Sequence, residues 1–163
     1  REPPSRLQHA DWLITQLPAL SPMPATPAPA TANRSVTMCL QATQMQQLYT
    51  GKRLTFSDWL AQYRQCSMTA LAAIGQPQRF FSMLEQAGLQ LEQCIAHADH
   101  HPIAASTFSQ QTASILLITA KDAVKCTDIS DPRIWVVHVT PQFTPSTWLV
   151  DLEQKLHELT LLV

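Results

Sequence analysis

Glycine is scarce in this chain: Gly51, Gly75 and Gly88 are the only three in 163 residues. That excludes a glycine-rich phosphate loop, which needs several such residues to bring backbone N–H groups around a nucleotide. Charge is scarce too, at 14% of residues with a net charge of −1. Without clustered Lys and Arg, nucleic acid is excluded as a natural partner. The four cysteines, Cys39, Cys66, Cys94 and Cys126, show no C-x-x-C spacing. Neither a zinc ribbon nor a compact disulfide framework follows, and reduced, buried thiols are the expectation. No apolar run approaches the ~18 residues that a membrane span needs, and no signal peptide is visible. This portion is expected to be soluble. Its start at Arg1 suggests a processed or partial chain.

What is present is ordinary for a globular fold. Hydrophobic residues make up 45%, enough for one core at this length. Proline is plentiful. Five prolines between Leu17 and Ala32 alternate with Ala, Thr and Ser, a linker of extended character. The chain divides accordingly into residues 1–16, a Pro-rich linker at 17–35, and an α/β domain at 36–163.

Strand-like and helix-like segments alternate along the sequence. Ala10 to Thr15 reads as a short buried strand and Val36 to Leu40 as another, followed by a polar, Gln-rich stretch. Thr55 to Ala61 reads as a short helical excursion. Met68 to Ile74 is an apolar strand ending at Gly75, and Pro77 opens a helix at the position where proline is tolerated. Phe80, Phe81, Leu84 and Ala87 share one face of that helix, and Gly88 ends it. Leu89 to Ala96, Ser114 to Thr119 and Ile134 to Val139 complete the strands. Ile103 to Gln111 and Lys121 to Lys125 are helical, and Ser146 caps a last amphipathic helix. Such alternation implies a mostly parallel sheet with flanking helices on both faces, an α/β fold.

Two segments gather titratable residues where an apolar strand gives out, the place where open α/β sheets bind ligands. The first is Asp99-His100-His101. Histidine titrates near neutrality and can pass a proton or orient a carboxylate. With His97 the cluster has the residue types of a zinc or manganese site, but such sites recruit three or four convergent ligands and nothing obvious supplies the rest. A metal-dependent phosphoesterase with an Asp-His-His signature would need an Asp-x-Asp pair, which is absent. A solvated polar loop is the plain alternative. The second segment is Thr119 to Cys126. Lys121 and Asp122 are adjacent, so they cannot share a helix face and have separate jobs. Asp122 complements the helix dipole, while Lys121 meets either a phosphate or water. Gly75 and Arg79 open a third segment, whose helix start could receive an anion; Phe80 and Phe81 read as packing.

Taken in order, these segments resemble the C-terminal portion of the tetraacyldisaccharide 4'-kinase family, the lipid A 4'-kinases. Arg1-Glu2-Pro3, Arg6-Leu7 and Asp11 match a Leu-Arg-Glu-Pro segment and the strand after it. Gly75 to Phe81 matches Gly-x-Pro-x-Arg-Phe-Phe, and Gly88 a later glycine. Asp99-His100 matches an Asp-His segment. Thr119 to Cys126 matches Thr-Glu-Lys-Asp-Ala-Val-Lys-Cys, with Ala120 replacing the glutamate. The Pro-rich region has no counterpart.

The resemblance implies the C-terminal half of a P-loop NTPase-like kinase. The family transfers the ATP γ-phosphate to the 4'-hydroxyl of tetraacyldisaccharide 1-phosphate in lipid A biosynthesis, at the cytoplasmic face of the bacterial inner membrane. Its phosphate loop, membrane-associated N-terminal helix and catalytic aspartate lie in the half that would precede Arg1. That half and the lipid A disaccharide precursor are thus the implied partners. Implied site residues are His100, bonded to that aspartate and tuning it as base, Asp99, supporting His100, and Glu2, reaching the Mg²⁺-nucleotide site. No metal ligands are assigned among this chain's own residues. ATP and Mg²⁺ serve the whole enzyme, and this portion alone is expected to bind neither tightly and to be inactive. The competing reading is a non-catalytic α/β binding or interaction domain.

Overall fold

A computed structural model describes residues 3–17, 34–99 and 103–161. The chain forms two compact units, residues 41–140 and residues 1–40 with 141–163. Two long strands, β2 (Arg34–Gln47) and β7 (Ile134–Thr144), each contribute to both.

The larger unit is built on β4 (Met68–Ala72), β5 (Gln93–Ala96), β6 (Ile115–Thr119) and the first part of β7. β4 pairs in parallel with β5 and with β6, and β6 in parallel with β7. β4 is buried at every position and β6 at all but its last. That explains their unbroken apolar sequence, because strands covered on both faces have no need to alternate. On one face Leu71, Leu116, Ile118, Ile134 and Val136 pack with Phe108 of α3 (Ala105–Ser109). On the other, Trp135 meets Trp59 and Tyr63 of α1 (Phe56–Tyr63), with ring centroids 5.9 and 5.3 Å away. Neighbouring strand residues point to opposite faces, so helices cover both, as the alternation predicts.

Local chemistry explains the helix ends. Thr55 Oγ1 accepts a 3.1 Å bond from the Asp58 N–H, capping α1. Pro77 opens α2 (Pro77–Gln86). At its other end, Gly88 takes φ +89° while its N–H bonds Glu85 O and the Leu89 N–H bonds Leu84 O. This is a Schellman closure, and the buried Leu84 and Leu89 supply its apolar contact. Arg133 secures the C-terminal end of α3. Its guanidinium donates to Phe108 O at 3.1 Å and Gln111 O at 2.7 Å, and it forks onto Asp131.

The unit's edge differs from expectation. The Gln-rich stretch after Leu40 is strand, not loop: β2 runs through it and pairs with the antiparallel β3 (Arg53–Thr55). Ala42 and Met45 anchor it in the core, while exposed Gln41 and Thr43 give it a polar look. Thr43 Oγ1 lies 3.1 Å from Thr140 Oγ1 on β7.

In the smaller unit β1 (Trp12–Gln16) pairs in parallel with the start of β2. Its last three residues are exposed, so this strand is not the buried one its apolar composition predicts. Thr37 on β2 donates to Thr144 O on β7 at 3.4 Å. The last helix, α5 (Trp148–Thr160), begins after Thr147, not Ser146, and has no side-chain cap. Trp148 packs on Phe143 with ring centroids 4.8 Å apart, and Lys155 pairs with Asp11 at 2.7 Å. Most of the Pro-rich linker lies outside the described residues. No helix among the described residues is long and apolar enough to cross a membrane.

Candidate functional site

The three segments singled out by sequence come together at one edge of the larger unit. Gly75 follows β4, Asp99 follows β5 and Thr119–Cys126 starts at the last residue of β6, and these strands are neighbours in the order β5-β4-β6. All three run parallel, so their C-terminal ends share the edge where α/β folds place their chemistry.

Thr119 ends β6 and caps α4 (Ala120–Ala123), its hydroxyl accepting from the Asp122 N–H at 3.1 Å and donating to Asp122 Oδ2 at 2.7 Å. Asp122 is wholly buried. Such a carboxylate survives only if its lone pairs are matched. Oδ2 also accepts the Ala73 N–H at 3.2 Å, and Oδ1 accepts Lys125 Nζ at 3.2 Å. Lys125 Nζ in turn donates to Ala73 O at 3.3 Å. Asp122 and Lys125, three residues apart on one helical turn, therefore grip both main-chain groups of Ala73, just past β4. Cys126 closes the segment by donating its thiol to Asp122 O at 3.4 Å. Burial, with Asp122 nearby, pushes that thiol's pKa up and keeps it protonated.

Lys121 faces the other way. Its Nζ lies 3.2 Å from Asp99 Oδ1, with both side chains nearly half exposed. The second Asp99 oxygen covers Gly75: a Cβ there would stand 3.5 Å from Oδ2. Gly75, Asp99 and Lys121 thus form one cluster drawn from three strand ends. His97 precedes it, half-buried, with its N–H bonded to Ala72 O at 2.9 Å. Arg79 is exposed, while Phe80 and Phe81 are buried against one another as packing residues.

Asp99 is thus the one assigned site residue the structure describes; His100 and Glu2 lie outside the described residues, as does His101. Sequence reasoning separated Lys121 from Asp122 correctly but missed the Asp122–Lys125 grip on Ala73. The signal was there in the i, i+3 spacing of opposite charges.

A family model described as tetraacyldisaccharide-1-P 4'-kinase matches residues 1–157. The chain belongs to the tetraacyldisaccharide 4'-kinase family. The family's enzyme from Bordetella parapertussis is 40% identical over 139 residues, covering 85% of this chain and 39% of the relative. That from Vibrio cholerae is 35% identical over 147 residues, covering 89% and 39%. LpxK from Aquifex aeolicus, solved in complex with ATP, shares the fold: TM-score 0.63, 19% identity, 95% of this chain and 45% of that one. The chain thus spans about two-fifths of the length of the curated 4'-kinases it matches.

Gly51 and Gly88, the two glycines with positive φ, serve turns. Gly75 looks onto a carboxylate, where a phosphate would need N–H donors. Among the described residues no group of three or more His, Cys, Asp or Glu could hold a metal ion.

Proposed function

We propose that this chain is the C-terminal portion of an ATP-dependent kinase that phosphorylates the 4'-hydroxyl of tetraacyldisaccharide 1-phosphate in lipid A biosynthesis. The observation that carries the reading is the convergence of three family segments on one sheet edge, within a chain matched to the family over residues 1–157. The phosphate loop and catalytic aspartate belong to a nucleotide-binding half joined to this chain, and residues 1–16 complete the connection. In the family ATP with Mg²⁺ supplies the phosphoryl group and neutralises its charge. What this chain adds is proton control. His100 holds and tunes the aspartate that takes the hydroxyl proton, and Asp99 fixes the orientation and charge of His100. Glu2 reaches toward the nucleotide side. The kinase works at the cytoplasmic face of the inner membrane, which it meets through its other half.

The test uses the complete kinase carrying this chain. His100→Ala lowers kcat on the order of a hundredfold and leaves the KM for ATP nearly unchanged. An unaltered kcat removes His100 from the mechanism. The 163-residue chain by itself shows no ATPase or kinase turnover, and measurable turnover overturns the assignment of the phosphate loop to the other half.

A further inference from the structure

The family resemblance assigns no role to Lys121, and its placement is unusual. It stands beside the buried Asp122 on a turn anchored in two ways, by the Thr119 cap and by the grip on Ala73. Asp99, by contrast, sits on the loop leaving β5, next in sequence to His100. The 3.2 Å Lys121–Asp99 pair ties that loop to the anchored turn. Gly75 completes the arrangement, since Asp99 Oδ2 lies over it at a distance that a Cβ would meet in ordinary van der Waals contact, 3.5 Å.

We infer that Lys121 is a positioning residue for the phosphoryl-transfer reaction: it holds the Asp99 carboxylate in register with the anchored end of β6. This inference rests on the kinase reading above. An ion pair between half-exposed side chains contributes little to stability, so the pair's value lies in geometry. Catalysis is sensitive to that geometry, since a small misplacement of a proton-transfer group is felt in the rate. Lysine reaches Asp99 as a compact charge on a flexible stem, and arginine supplies the same charge with a longer reach.

The experiment is a kinetic cycle in the complete kinase with Lys121→Met, Lys121→Arg, Asp99→Asn and the double variant Lys121→Met/Asp99→Asn. Lys121→Met is expected to lower kcat about tenfold, with the KM for ATP and the melting temperature unchanged. Lys121→Arg should recover most of the rate. The double variant should be no slower than Asp99→Asn alone, because Lys121 has nothing left to hold. Full activity of Lys121→Met, a drop confined to KM, or strictly multiplicative losses in the double variant would overturn the inference. His100→Ala separates the two levels. If it slows the enzyme while Lys121→Met does not, the kinase site stands and the positioning role falls. If His100→Ala is silent, the site reading itself falls, and the positioning role with it.

Discussion

The two compact units of this chain solve burial differently. The larger one hides its apolar strands completely: Ala70 to Ala73 and Leu116 to Ile118 are all fully buried, and Trp59, Phe108 and Ile134 have no exposure. The smaller one buries Val36 and Trp148 but leaves Leu149, Leu156 and Leu159 of α5 each at least half exposed, with Val150 at 65%. Burial of apolar area is the main favourable term in folding, so stability is concentrated in residues 41–140. The smaller unit carries the kind of apolar surface that proteins normally keep covered. The candidate cluster is built on the well-buried unit, where its geometry can be held.

Three measurements would break or sharpen this contrast. The largest effect is expected from Asp122→Ala, which strands the Ala73 N–H and the partly buried Lys125. Loss of a buried, hydrogen-bonded partner of this kind destabilises by about 3 kcal/mol. Urea unfolding should show the midpoint falling; a wild-type midpoint would mean that the grip on Ala73 contributes nothing. The next effect is acid sensitivity. Burial, with Arg53 nearby, pushes the His138 pKa below its usual value, and hydrogen bonds from Arg133 hold the Asp131 carboxyl below its own. A group with a depressed folded pKa lends stability above its unfolded value and loses it as pH falls through the folded one. Stability should therefore decline below about pH 6.5 for His138 and again below about pH 4 for Asp131. His138→Gln should flatten the first decline, and a profile level from pH 7 to 5 would rule it out. The smallest effect belongs to Leu156→Gln on α5, expected within about 0.5 kcal/mol by thermal melting. A loss comparable to Asp122→Ala would show that α5 is as firmly packed as the larger unit.

The sequence made the α/β alternation legible because β4 and β6 are buried on both faces and show unbroken apolar runs. Pro77 and Gly88 marked the ends of α2 through their own backbone preferences. The site edge was legible for a similar reason: charged residues directly after a buried strand have few other places to go. What composition concealed was β2, whose outward glutamines and threonines make a strand resemble a loop. Half hidden was the grip on Ala73: the i, i+3 spacing of Asp122 and Lys125 announces the charge pair, but not the main-chain atoms it engages. The likeness to 4'-kinases came from motif order, which carries information that periodicity does not.

Residues 121 and 122 are neighbours that look in opposite directions, one toward water and Asp99, the other into the protein interior. One residue inserted just before Lys121 would carry the ammonium to the buried position, and one deleted there would carry the carboxylate to the exposed one. This stretch can therefore tolerate a change of identity, as Ala120 illustrates, but not a change of length.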